Sequence, residues 1–246
     1  MSFANKVVLI TGGSSGIGAA TAILFSQEGA NVVIVGRNET KLSNVAEKCS
    51  DPLVIKADVT NKEDAKRIID ETIQAYGKID VLVNNAGIVR YGSILDENIL
   101  ETFDELMETN LRSLLHVTYL AVPHIIEAKG NIVNISTIAG KIFPDPSLMA
   151  YGVSKAGVDH LTRGLALQLA KYGVRVNNIS PGPTVSDILL NSGVDIPWES
   201  IAPTMPLGKV CEAEEVADMI MFLASDKAKS ITGVDYVIDN GKMLTK

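Results

Sequence analysis

Residues 7–18 read Val7-Val8-Leu9-Ile10-Thr11-Gly12-Gly13-Ser14-Ser15-Gly16-Ile17-Gly18, and a stretch of helical period follows through Ala19 to Gln27. The short apolar, largely β-branched run predicts a buried strand. Strand, glycine turn and helix in that order bring backbone N–H groups and a helix N-terminus to one point, which suits a pyrophosphate. Glycine is required where a side chain would block that approach or the close packing of helix on strand. The spacing is Gly-x-x-x-Gly-x-Gly rather than Gly-x-Gly-x-x-Gly. No Gly-Lys-Ser/Thr follows, so the turn is not a P-loop.

Outward from this turn the same alternation continues. Strands are expected at 32–35, 53–55, 79–83, 132–135, 174–177 and 234–238. Helices are expected after the second strand around Leu42 and Val45, at about 62–76, at about 109–128 and at 213–224. Continuous apolar strands alternating with helices predict an α/β chain: a single-domain Rossmann fold, a doubly wound parallel sheet flanked by helices on both faces. No linker, repeat or low-complexity tract divides residues 1–246. The proline-rich segment 181–206 reads as a lid, with a substrate loop at about 183–206.

The formal net charge of −7 excludes a clustered basic surface for nucleic acid. The chain's two cysteines, Cys49 and Cys211, make no disulfide framework, and His116, His124 and His160 have no metal-site spacing. No apolar run is long enough for a signal or a membrane span. These features predict a cytoplasmic protein with no metal, nucleic-acid partner or membrane segment.

Two further stretches carry chemistry. The second strand ends Val35-Gly36-Arg37-Asn38. An NAD site usually holds Asp or Glu at the position of Gly36, on the ribose 2′-hydroxyl; an arginine instead suits a 2′-phosphate. The cofactor expected is NADP. Tyr151-Gly152-Val153-Ser154-Lys155 opens a helical stretch. Residues four apart share a helix face. A lysine ammonium beside a phenol lowers the phenol pKa and suits Tyr151 to proton transfer.

With Asp58-Val59 after the third strand, Asn84-Asn85-Ala86-Gly87 after the fourth, Asn110 in the long helix, Ser136-Thr137 after the fifth, Pro181-Gly182 after the sixth and Ile231-Thr232-Gly233 before the last, the chain resembles a short-chain dehydrogenase/reductase along nearly its whole length. The resemblance implies oxidoreduction of a carbonyl or alcohol substrate. It puts Gly12, Ser14, Ser15, Gly16, Ile17 and Gly18 along the pyrophosphate and adenosine side. Arg37 and Asn38 go to the 2′-phosphate, and Asp58 and Val59 to the adenine edge. Asn85, Ala86 and Gly87 pass under the nicotinamide ribose, and Pro181, Gly182 and Thr184 meet the carboxamide. Tyr151 becomes the acid/base, Lys155 its partner and a ribose ligand, and Asn110 the holder of a relay water.

The chain departs from the family in two places. The usual substrate-binding serine stands three residues before a glycine and thirteen before the tyrosine. Counting from Gly140 reaches Thr137, whereas counting from Tyr151 reaches Ile138. Thr137 keeps a hydroxyl, and Ser136 is the neighbouring alternative. The usual Asp-Gly-Gly reads Asp239-Asn240-Gly241.

The expected pocket wall is Ile138, Phe143, Met149, Ile188, Leu189, Leu190, Trp198 and Met205, with no cation in the lid. That predicts a neutral, mainly apolar ketone or aldehyde as substrate. The alternatives are a 3-oxoacyl-carrier-protein reductase and a nucleotide-binding scaffold with little turnover. Leu111–Val122, apolar on more than one face, and the resemblance together predict a homo-oligomer, dimer or tetramer.

Overall fold

The computed structural model describes residues 3–193 and 196–245, apart from the Leu190 side chain. Among the described residues one seven-stranded sheet forms, with order β3-β2-β1-β4-β5-β6-β7 and every pairing parallel. Its strands are β1 (Val7–Thr11), β2 (Asn31–Gly36), β3 (Leu53–Lys56), β4 (Val81–Asn84), β5 (Asn131–Ile135), β6 (Arg175–Pro181) and β7 (Asp235–Ile238).

Successive strand residues point to opposite faces, and both faces are covered. Val8, Ile10, Ile34, Val83 and Val133 pack with Phe25 and Ala22 of α1 (Gly16–Gln27) and Val216 and Ile220 of α7 (Ala213–Ala224). Val7, Leu9, Val33, Leu82 and Ile132 pack with Ile68 of α3 (Lys62–Tyr76), Val117 and Ile125 of α5 (Ser113–Ala128) and Leu165 of α6 (Met149–Leu169). This is the doubly wound architecture expected. The strand order reverses between β1 and β4, which opens a crevice at their carboxyl ends.

Two local differences from the sequence expectation matter for the site. β6 runs past Asn177 to Pro181 because its buried polar residues find partners: Asn178 donates to Asp159 (2.7 Å) and Asp235 (2.9 Å), and Ser180 donates to Asp235 (2.7 Å). The helix expected from Thr109 instead begins as a wide π-helical turn, Glu108–Arg112, between α4 (Ile99–Met107) and α5. Such bulges recur at functional sites, and this one carries Asn110.

Candidate active site

The crevice is built first by backbone. Gly12 has φ +66°, and a Cβ there would stand 2.8 Å from the Ala86 Cα. A Cβ on Gly18 would stand 2.2 Å from the Gly12 carbonyl oxygen. Asn85 locks the ends of β1 and β4 together, donating through Nδ2 to the carbonyls of Thr11 (3.1 Å) and Gly12 (2.9 Å). Ser15, the N-cap of α1, makes no side-chain cap bond, and the first turn holds no acid. By contrast, Asn38 caps α2 (Glu39–Ala46) by accepting from Lys41 N, and Asn61 caps α3 by accepting from Asp64 N. The first amides of α1 are therefore left for an external anion, as a pyrophosphate requires.

At the end of β2, Arg37 is 69 % exposed and lies 3.6 Å from Asp58. Burial pushes the Asp58 carboxyl up, but bonds from the Thr60 amide and hydroxyl, with Arg37, hold it below the usual carboxylate range. Val59 beside it is buried.

The chemical groups converge at the far end. Asn110 is fully buried; its Oδ1 accepts from Ile88 N (2.8 Å), and its Nδ2 donates to Ile88 O (2.9 Å) and Ser154 Oγ (3.1 Å). Lys155 donates to the Ile135 carbonyl (2.9 Å). Burial lowers its pKa to about 8, and Asp159 pulls it upward. The Thr137 hydroxyl donates to Pro181 O (3.2 Å), accepts from the Ala139 amide (3.3 Å) and lies near enough to the Tyr151 phenol to pull its pKa down. The Ser136 hydroxyl turns away, donating to the backbone carbonyl of Lys155 (3.2 Å). Of the two hydroxyls, it is Thr137 that meets the tyrosine.

One expectation needs correcting. Burial holds the Tyr151 phenol above its ordinary value; Thr137 lowers it in part, and Tyr91 raises it. Lys155, turned to Ile135, is not among the groups that move it. A phenolate in a dry site costs more than one hydroxyl returns.

A cavity of about 440 Å³ joins the two ends. Of the cofactor residues expected, all but Asn38 and Gly18 line it; Asn38 lines an adjoining cavity of about 460 Å³, and Gly18 packs beneath the turn. Of the expected wall, Ile138, Ile188, Leu189 and Trp198 line the cavity, whereas Phe143, Met149 and Met205 do not. Phe143 points to solvent and Met205 is buried elsewhere; Leu190 lies outside the described side chains. Sequence reading missed Ile88, Val89, Tyr91 and Leu148 as wall, and also Asp145 and Lys242. Lys242 arrives from the C-terminal turn, where Asp239 caps the amides of Gly241 (2.9 Å) and Met243 (2.7 Å).

A dinucleotide cleft at the switch point of a parallel sheet, ending in Thr137 and the buried Tyr151 and Lys155, defines a nucleotide-linked oxidoreductase. A family model described as "Enoyl-(Acyl carrier protein) reductase" matches residues 12–242. The 3-oxoacyl-[acyl-carrier-protein] reductase FabG of Thermotoga maritima is 37 % identical over 99 % of this chain and 100 % of its own length. The glucose 1-dehydrogenase of Gluconobacter oxydans is 36 % identical over 98 % of this chain and 93 % of its own. Among solved structures, a Caenorhabditis elegans short-chain dehydrogenase/reductase of unknown function, with cofactor, superposes with TM-score 0.93 at 35 % identity, covering 99 % of this chain and 97 % of that one. The chain belongs to the short-chain dehydrogenase/reductase family, whose members are oxidoreductases using a nicotinamide cofactor. No helix among the described residues is long and apolar enough to cross a membrane.

Proposed function

We propose that the protein is an NADP(H)-dependent reductase that converts a neutral, mainly apolar ketone or aldehyde to its alcohol, reversibly, with Tyr151 as general acid/base. The observation that carries this reading is the meeting of Tyr151, Thr137 and Lys155 in the wall of one cavity, continuous with the uncapped glycine turn. The residues fit the cofactor. Amides from Gly12 to Gly18, with the Ser14 and Ser15 hydroxyls, would hold the pyrophosphate. Arg37 and Asn38 would take the 2′-phosphate, and Asp58 and Val59 the adenine edge. Lys155, Asn85, Ala86 and Gly87 would meet the nicotinamide ribose, and Pro181, Gly182 and Thr184 the carboxamide. When bound, the nicotinamide supplies or accepts the hydride.

The protein's own part is positioning and proton transfer. Thr137 orients the substrate oxygen, and Tyr151, protonated at neutral pH, donates to it. Lys155 supplies a cation beside the ribose, and Asn110, buried behind the cavity, fixes the Ile88 backbone that lines it. Ser136 keeps the Thr137 loop seated on α6.

Apolar walls from Ile138, Ile188, Leu189 and Trp198 support an apolar substrate. Lys242 and Asp145, of opposite sign, also reach the cavity, so neither sign dominates there. The Thermotoga maritima relative favours a second reading, a 3-oxoacyl-carrier-protein reductase. The free Cys49 and Cys211 suit a reducing cytoplasm.

NADPH oxidation with neutral cyclic ketones, charged keto acids and a carrier-bound 3-oxoacyl chain tests the substrate class. A preference for the keto acid overturns the apolar reading, and a preference for the carrier-bound chain selects the second. An absence of turnover with any of them leaves a nucleotide-binding scaffold. NADPH should bind more tightly than NADH, and Arg37→Ala should lose most of that preference, roughly tenfold for a partly exposed charge-assisted bond. Equal affinities in the parent protein would refute the NADP assignment.

Leu115 and Tyr119 on α5 and Val153 and Leu167 on α6 are exposed apolar residues, which supports a homo-oligomer, dimer or tetramer, built on these helices. Sedimentation at micromolar concentration should give more than a monomer mass; a monomer would remove the idea.

A further inference from the structure

Beside the main cavity, the second one is lined by Ser14, Ser15, Arg37, Asn38, Lys41 and Arg90. Three cations therefore face one space, and each is held by a carboxylate: Arg37 by Asp58 (3.6 Å), Lys41 by Asp187 (2.6 Å) and Arg90 by Glu105 (2.8 Å). The middle pair differs from the others in what it joins. Lys41 stands in the first turn of α2, its amide bonded to the Asn38 side chain at 2.9 Å. Asp187 lies in the segment after β6, far away in sequence. That segment rests directly on the glycine turn: a Cβ added to Gly16 would stand 2.7 Å from the Ser186 Cβ. The Lys41–Asp187 pair thus bridges the side of the crevice where Arg37 stands to the roof of the glycine turn.

Lys41 shares with Arg37 the wall of the second cavity. It starts from the same strand–helix junction, and its side chain is only 41 % exposed, against 69 % for Arg37. A less exposed cation is less screened and gains more from a dianionic phosphate. Asp187 occupies it, so a phosphate must share or displace that carboxylate.

We propose that Lys41 is a second reader of the cofactor 2′-phosphate, and that Asp187 competes with the phosphate for it and so sets how strongly the protein prefers NADP over NAD. This rests on the NADP reading above. Asp187 acts through Lys41: it is a positioning residue that holds the ammonium in the crevice when no phosphate is there and weakens phosphate binding by the same contact. NAD, having no 2′-phosphate, leaves the pair as it is.

The test is a double-mutant cycle read by calorimetry on the free protein, with Kd for NADPH and NADH measured separately. Lys41→Met should weaken NADPH by roughly five- to tenfold and leave NADH within about twofold, the size of one partly exposed charge-assisted bond. The retained NADH binding shows that the variant is folded. Asp187→Asn should tighten NADPH by about threefold, leaving NADH unchanged. In Lys41→Met/Asp187→Asn that gain should vanish, because the carboxylate no longer has a cation to compete for. The proposal is overturned if Lys41→Met leaves NADPH unchanged, if it weakens both cofactors equally, or if Asp187→Asn keeps its gain in the double variant. Arg37→Ala in the same series separates the two levels. If it loses the NADPH preference while Lys41→Met does not, this inference alone fails; if neither does, the NADP reading fails with it.

Discussion

Tyr151→Phe should retain NADPH binding and lose about a hundredfold to ten-thousandfold in kcat/KM, the range that one positioned proton donor contributes. The substitution removes a single hydroxyl from a side chain that is almost wholly buried, and the ring still packs with Val89, Leu106, Ala139 and Ala150. The pocket should keep its shape, so the loss reports chemistry rather than folding. Thr137→Val should follow it with a smaller fall, since the Thr137 hydroxyl shares the cavity wall with the phenol and lowers its pKa. Ser136→Ala should change kcat little, because the Ser136 hydroxyl is spent on the Lys155 carbonyl. A Tyr151→Phe enzyme with most of its rate would put the proton on another group. If Ser136→Ala fell further than Thr137→Val, the roles of the two hydroxyls would have to be exchanged.

The contrast between these two hydroxyls shows how far the sequence alone could be read. The strands were legible where they were apolar on both faces: Val7–Ile10 and Val32–Val35 admit little else in a chain of this pattern. The polar end of β6 was not, because Asn178 and Ser180 become strand residues only once Asp159 and Asp235 arrive from elsewhere to satisfy them. The Tyr151–Lys155 spacing was legible as a helix face, but the direction of the Lys155 ammonium was not. It is set by the Ile135 carbonyl on a neighbouring strand. Local periodicity also carries no trace of the turn at Glu108–Arg112 that delivers Asn110 to Ile88. Three expected wall residues, Phe143, Met149 and Met205, lie outside the cavity for a related reason. Lys242 and Tyr91 reach the cavity from segments distant in sequence from the lid, while Met205, inside the lid, is buried elsewhere and Phe143 faces solvent. Lys41 and Asp187 were invisible as a pair, since only the fold brings α2 over to the segment after β6.

Lys155→Met should abolish most turnover, weaken NADPH binding, and yet make the folded protein more stable at neutral pH. The lysine is 4 % exposed, and burial lowers its pKa from 10.5 to about 8. A base whose folded pKa lies below its unfolded pKa binds more protons when unfolded, across the window between the two values. Stability therefore rises with pH through that window. Below about pH 8 both states are protonated and the native state bears the whole cost of the buried cation. The shift corresponds to about 3 kcal/mol at 1.36 kcal/mol per unit. Methionine removes that cost but leaves the Ile135 carbonyl without the lysine's bond, a loss of roughly 1–2 kcal/mol. The net gain expected at pH 7 is on the order of 1–2 kcal/mol, measured by urea unfolding. The gap should close as pH rises from about 8 towards 10.5 and then reverse, since the neutral amine still donates to Ile135 while methionine cannot. A variant less stable than the parent at pH 7, or a gap that does not change between pH 7 and pH 10, would mean that Lys155 sits in the fold without strain.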